Sequence, residues 1–196
     1  MTIPAPATLT NLETIANAVH DCTACALAAG RLTAVPGDGD PQAEILFVGE
    51  GPGQKEDETG HPFVGAAGKF LDELLAQIGR ARKDVFVTNV VKCRPPQNRD
   101  PEPDEIKTCT DLFLWKQIEY LAPKLICTLG RHSMGLFFPA EYKISQIHGQ
   151  PKRVRGRVIL PLYHPAAALY NGSMRQTLIY DFKKIPLVLK KLAATT

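Results

Sequence analysis

No apolar run in the 196-residue sequence approaches the roughly 20 residues that a membrane-spanning helix needs. Its opening, MTIPAPATLTNLETI, lacks the basic stretch followed by an apolar one that marks a secretory leader, so a soluble cytoplasmic protein is expected. Internal repeats and low-complexity blocks are also missing. A hydrophobic content of 44% with 22% charged residues is that of an ordinary globular chain and excludes wholesale disorder. Acidic residues nearly vanish towards the end. From Lys143 onwards there are ten Lys and Arg against the single acid Asp181, a net +9, whereas the first 142 residues carry 13 basic and 19 acidic residues, a net −6. That asymmetry suits a basic face for a polyanion such as nucleic acid. Equally, Lys183, Lys184, Lys190 and Lys191 could do no more than solvate a terminal helix.

What is present alternates between two periods. ILFVGE (45–50), DVFVTNVV (84–91), KLICTL (124–129) and RVILPLYH (157–164) are short apolar runs of the kind that form buried parallel strands. Helical patterns cover 9–20, 65–79, a stretch ending near Tyr120, a short one from about Arg131, and 174–192, the last interrupted at Pro186. RPPQNRDPEPDE (94–105) is a loop, and 143–157 reads as irregular or as a hairpin. The expected fold is α/β: one domain over 1–196, three layers α/β/α around a mainly parallel four-stranded sheet. Ligands of such sheets bind beyond the carboxyl ends of the strands, where Glu50 to Gly53, Asn89 and His164 stand.

Five cysteines occur without an export signal, which argues against a disulfide framework. Cys127 lies within an apolar strand and reads as a core residue. Cys22-x-x-Cys25, Cys93 and, after fifteen further residues, Cys109 form a four-thiolate set. Spacing alone suits a structural zinc ion as well as an iron–sulfur cluster.

The segment GEGPGQKEDETGHPFVGAAGKFLDELL (49–75) has glycines that let a backbone approach a ligand closely, but neither a Walker lysine nor dinucleotide-type glycine spacing. Together with VTNVVKCRPP and YHPAAAL, and with the four cysteines, it resembles the family 4 uracil-DNA glycosylases of bacteria and archaea. The resemblance runs from Cys22 to the His164-Pro165-Ala166 motif. It implies a repair enzyme that flips uracil out of DNA and hydrolyses its N-glycosidic bond, leaving an abasic site. It also implies a 4Fe-4S cluster on Cys22, Cys25, Cys93 and Cys109, tying residues 1–30 to the core. The expected partner is uracil-containing DNA, single- or double-stranded, met by a monomer.

The chemistry asks for groups that stabilise an oxocarbenium-like sugar and a departing uracil anion, in a pocket that reads an extruded base. By the resemblance, Phe63 stacks on the base, Asn89 pairs with N3–H and O4, and His164 donates to O2. Glu50 orients or activates water, and Gly51, standing where some other uracil glycosylases carry an aspartate, lies against the base. Glu56, with Gln54 as alternative, walls off the methyl group of thymine. Read without those motifs, Phe63 is a core aromatic, Asn89 a strand cap, His164 an ordinary histidine, Glu50 a loop scaffold and Glu56 part of a solvated charge run. Arg94, Arg99, Arg153, Arg155 and Arg175, with Lys152 and Arg157, are the candidate phosphate contacts. Two other readings stand beside the enzyme. One is a relative that traps uracil-DNA covalently, disfavoured because VTNVVKCRPPQNRDP lacks its basic insertion with an extra histidine. The other is a non-catalytic iron–sulfur protein, which would need no base pocket.

Overall fold

The computed structural model describes residues 9–194; the expectations for the first eight residues lie outside the described residues. Helix α1 (Leu12–His20) starts at Asn11, whose side chain accepts the Thr14 N–H at 2.7 Å while Thr14 Oγ1 accepts the Asn11 N–H at 3.1 Å. After the Cys22–Cys25 turn come β1 (Asp38–Gly39), β2 (Ile45–Gly49), α2 (Gln54–Thr59) and α3 (Ala66–Ala76). Strand β3 (Phe86–Asn89) leads into the proline-rich loop and α4 (Pro103–Cys109), which passes through a π-helical turn at Thr110–Leu114 into α5 (Trp115–Leu121). The chain continues through β4 (Leu125–Leu129), α6 (Arg131–Gly135), α7 (Ile144–Ile147), β5 (Lys152–Val154) and β6 (Arg157–Leu162). It closes with α8 (Ala167–Tyr170), α9 (Gly172–Phe182) and α10 (Ile185–Ala193). Pro186 sits in the first turn of α10, where its missing N–H costs nothing, so it starts a helix as it interrupts the pattern.

The sheet has six strands in the order β1-β3-β2-β4-β6-β5, which corrects the expected four-stranded parallel sheet. β3, β2, β4 and β6 are indeed parallel, but β1 and β5 add antiparallel edges. Two-residue β1 is too short to carry a hydrophobic period, and β5, Lys-Arg-Val, is a half-buried edge with no apolar run, so neither announces itself. Of the segment 143–157, left open between irregular and hairpin, Ile144–Ile147 forms the short helix α7 and the part from Lys152 is an antiparallel hairpin, turning at Arg155 and Gly156, both with positive φ.

Strand side chains alternate between two cores. Leu46, Val48, Ile126 and Ile159 pack with α1, α5 and Phe113, while Ile45, Phe47, Leu125, Cys127 and Leu160 pack with α3, α9 and α10. Helices therefore cover both faces, and the carboxyl ends of the central strands are left for chemistry.

Candidate active site

Parallel pairing sets Gly49 beside Asn89 at the ends of β2 and β3. Beyond them lies a cavity of about 270 Å³ lined by Glu50, Gly51, Glu56, Phe63, Asn89, Arg99 and His164, together with Pro52, Gly53, Ala67, Pro95, Asn98 and Ala166. All the base-facing residues proposed from sequence thus meet in one place. Asn89 is 1% exposed, and its Oδ1 has no hydrogen-bond partner among the described residues. A buried amide oxygen without a partner carries a desolvation cost that a donor entering the cavity would relieve. Gly49 makes the arrangement possible: a Cβ there would lie 2.3 Å from Asn89 Oδ1 and 2.6 Å from Phe63 Cζ.

Phe63 adopts φ +55° and its ring stacks on the His164 ring, centroids 5.5 Å apart and planes 28° from parallel. His164 Nδ1 accepts the Ala166 N–H at 3.1 Å, which leaves Nε2 to carry the proton of a neutral ring. Burial holds its pKa down to about 4, against a small opposing pull from Glu56.

The Glu56 carboxylate accepts main-chain N–H groups from Val64 and Gly65 at 2.8 Å each and from Gly53 at 3.1 Å. It joins the glycine loop to the Phe63 turn rather than standing in a solvated charge run. Gln54, the alternative, instead donates to Glu58 at 2.9 Å and does not reach the cavity.

Glu50 lies near a group no motif marked. His132 Nε2, at the start of α6, is 3.7 Å from Glu50 Oε2 and 3.4 Å from Asp100 Oδ1, and Arg131 pairs with Asp100. Burial raises the pKa of Glu50, with His132 pulling the other way. His132 follows β4 as Glu50 follows β2, and that position was the available signal.

Cys22, Cys25, Cys93 and Cys109 line one small cavity with Val19, Leu112 and Phe113, while Cys127 is buried in β4 away from it. Arg31 donates to Cys93 Sγ at 3.1 Å and to the carbonyls of Cys22 and His20. Lys92, fully buried, gives its three N–H donors to Thr88 Oγ1 at 2.6 Å, Asn89 O at 2.7 Å and Gln117 Oε1 at 2.7 Å. Four converging thiols with two cations beside them and apolar walls fit a thiolate-bound metal group of net negative charge. Sequence reasoning passed over Lys92, although it stands inside the VTNVVKCRPP motif.

The charged candidates separate. Arg99 lines the cavity but is held bidentately by buried Glu105, at 2.9 and 2.7 Å. Arg94 bonds Asn98 at 2.8 Å near the mouth, and Arg175 pairs with Glu73 over the Phe70 ring. Arg153 and Arg155 are not brought to the cavity. They occupy the hairpin before β6, whose far end leads to His164, roughly 15–20 Å away along the strand. Leu169 and Tyr170, 42% and 92% exposed, follow the His164 motif as apolar groups facing solvent.

The sequence matches the family model of the uracil DNA glycosylase superfamily over residues 36–184. It is 49% identical over 187 residues to the type-4 uracil-DNA glycosylase of Sulfurisphaera tokodaii, covering 89% of this chain and 83% of that one. With the type-4 enzyme of Thermotoga maritima the identity is 41% over 184 residues, covering 92% and 95%. The chain belongs to the type-4 uracil-DNA glycosylases. A type-5 uracil-DNA glycosylase of Thermus thermophilus matches less of it, 38% over 114 residues and half of each chain. No helix among the described residues is long and apolar enough to cross a membrane.

Proposed function

We propose that this protein excises uracil from DNA by hydrolysing the N-glycosidic bond and releases an abasic site. The observation that carries the reading is the buried, unpartnered Oδ1 of Asn89, set beside the Phe63 ring and a neutral His164. An extruded uracil offers N3–H to Asn89 Oδ1 and O4 to its amide N–H, whereas cytosine presents the opposite pattern and is refused. Phe63 covers the ring face. As the bond from C1′ to N1 breaks, negative charge grows on O2 and the His164 Nε2–H bond to it strengthens. Water adds to C1′ and its proton ends on the departing uracil anion, giving a sugar hydroxyl and neutral uracil; Glu50, at the cavity wall, orients that water and faces the sugar cation. Glu56 holds the glycine loop against the Phe63 turn and borders the space where a thymine methyl group would sit. Gly51 lines the space for the base, and a Cβ there would press on Val91 at 2.7 Å, so glycine lets the loop pack against the stretch that follows Asn89.

Cys22, Cys25, Cys93 and Cys109 would hold a 4Fe-4S cluster, which when bound cross-links the N-terminal segment to the loop that follows Asn89. Hydrolysis consumes no electrons, so the cluster's part here is structural. The cavity is complete within one chain, which supports action as a monomer and a single domain. DNA passes over the strand ends, with Arg94, on Asn98 by the cavity mouth, and Arg175 as phosphate contacts and Leu169 and Tyr170 ready to fill the gap in the base stack. Such a substrate puts the enzyme on the nucleoid in the cytoplasm.

The deciding experiment incubates purified protein with an oligonucleotide carrying one uracil and then treats it with hot alkali. Cleavage at the uracil, and none at a matched thymine or cytosine, is expected. An intact strand after prolonged incubation, or strand scission without alkali, would overturn the reading.

A further inference from the structure

Phe63 keeps a left-handed backbone, φ +55°, that a bulky side chain rarely adopts, so the surrounding structure must impose it. Part of the grip comes from outside the cavity. Arg82, in the 3₁₀ turn before β3, donates from Nη2 to Phe63 O at 2.6 Å and to Gly68 O at 3.3 Å, and from Nη1 to Pro62 O at 3.4 Å. Its Nε is anchored on Asp72 Oδ1 at 2.5 Å, and its guanidinium carbon lies 5.9 Å from the Phe63 ring centroid. Glu56 seizes the next two peptide units through the N–H groups of Val64 and Gly65. A cation thus holds the carbonyls on one side of the turn while an anion holds the N–H groups on the other. Gly68 closes the clamp: a Cβ there would fall 1.7 Å from Phe63 O, so only glycine lets α3 approach.

We infer that Arg82 is a positioning residue for base recognition, acting through Phe63 and never touching the base. The inference rests on the reading of the cavity as the uracil pocket. Freed from Arg82, the turn relaxes towards negative φ and the ring leaves the plane it holds against His164. A flat platform meets the base equally before and after the bond breaks, so its loss shows in KM and in product inhibition by free uracil, with kcat little changed. A planar fork spanning three carbonyls has no lysine equivalent, so Arg82→Lys keeps the charge but loses the geometry.

The test is a double-mutant cycle on the full chain, reading KM for a uracil oligonucleotide, inhibition by free uracil and thermal unfolding. Arg82→Met should raise KM and the uracil inhibition constant by about tenfold, the effect of roughly one charge-assisted hydrogen bond. Arg82→Lys should fall between, and it takes the place of Arg82→Met in the cycle if that variant does not fold. In a Phe63→Ala background the same change should add nothing to KM. Multiplying effects would overturn the inference, as would a lowered unfolding temperature with unchanged KM. If Phe63→Ala raises KM and the Arg82 variants do not, only the Arg82 inference falls. If Phe63→Ala leaves KM and uracil inhibition unchanged, the pocket reading falls and takes the inference with it.

Discussion

The Ala166 N–H donates to His164 Nδ1 at 3.1 Å, and this one bond decides which face of the imidazole carries a proton into the cavity. Because the bond to uracil O2 gains strength only as the base departs, His164→Ala should slow single-turnover excision far more than it weakens DNA binding. Removing such a donor typically costs roughly 3–4 kcal/mol, or about two to three orders of magnitude in rate. Single-turnover kinetics and unfolding on one preparation test this. A less stable variant that still excises at the wild-type rate would make His164 structural only.

The same burial makes His164 a source of acid lability. Its folded pKa is about 4 against an ordinary 6.5, so between those values the unfolded chain binds a proton that the folded chain does not. The stability associated with the neutral ring is complete above about pH 6.5 and is lost as pH falls towards 4. His164→Gln should flatten that part of the profile. Unfolding temperatures of the two proteins, taken between pH 7 and 4, should converge as the pH falls. Parallel curves would count against the neutral buried imidazole.

Asn89→Asp replaces an amide that donates and accepts with a carboxyl that, ionised, only accepts. O4 of uracil then faces an acceptor, so excision should fall sharply, while the exocyclic amine of cytosine finds a partner. Parallel assays on uracil and cytosine oligonucleotides read both effects. Undiminished uracil excision would remove Asn89 from recognition.

The four parallel strands and the cavity-lining residues were legible, the strands from a local rule and Phe63 and Glu56 from the motifs they stand in. Short apolar runs make buried strands, and the residues just past them, Glu50, Asn89 and His164, inherit the site. The edge strands were not legible, since Asp38–Gly39 is held only by its pairing with Phe86 and Val87. Arg82 and His132 were missed for a related reason. Each meets a tertiary neighbour, Phe63 O and Glu50, 19 and 82 positions away, and neither stands in a recognised motif, although His132 does follow the end of β4. The charge asymmetry gave a sound count but no location, because charge along a sequence says nothing about which end of a strand it occupies.

The separation of the basic residues between the cavity mouth and the hairpin has a measurable consequence. Each phosphate contact contributes a slope of about −0.9 in log affinity against log salt on duplex DNA, or about −0.7 on single strands. Arg94→Gln should make the slope for uracil-DNA shallower by about one contact. Arg153→Gln with Arg155→Gln, at the opposite end of β6, should leave it unchanged. A shallower slope in the double variant would mean that DNA wraps to the hairpin.

The metal centre and the base pocket share a short piece of chain, and this gives the cysteines unequal consequences. Val90 and Val91 bond back to the carbonyls of Gly49 and Glu50, Lys92 fixes the Asn89 carbonyl, and Cys93 takes the Arg31 N–H. Anything that frees Cys93 therefore loosens the stretch that orients Asn89. Purified protein should be brown and contain iron and acid-labile sulfide. Cys93→Ser should lose iron, unfold at a lower temperature and bind uracil-DNA less tightly. Cys127→Ser should keep full iron, because Cys127 sits among apolar side chains in β4 and burial raises its thiol pKa further above the ordinary range. Iron analysis, visible absorption and thermal unfolding of the three proteins separate the outcomes. Colourless protein with stoichiometric zinc would replace the cluster by a tetrahedral zinc site on the same thiolates. Full iron retention by Cys93→Ser would remove that residue from the ligand set.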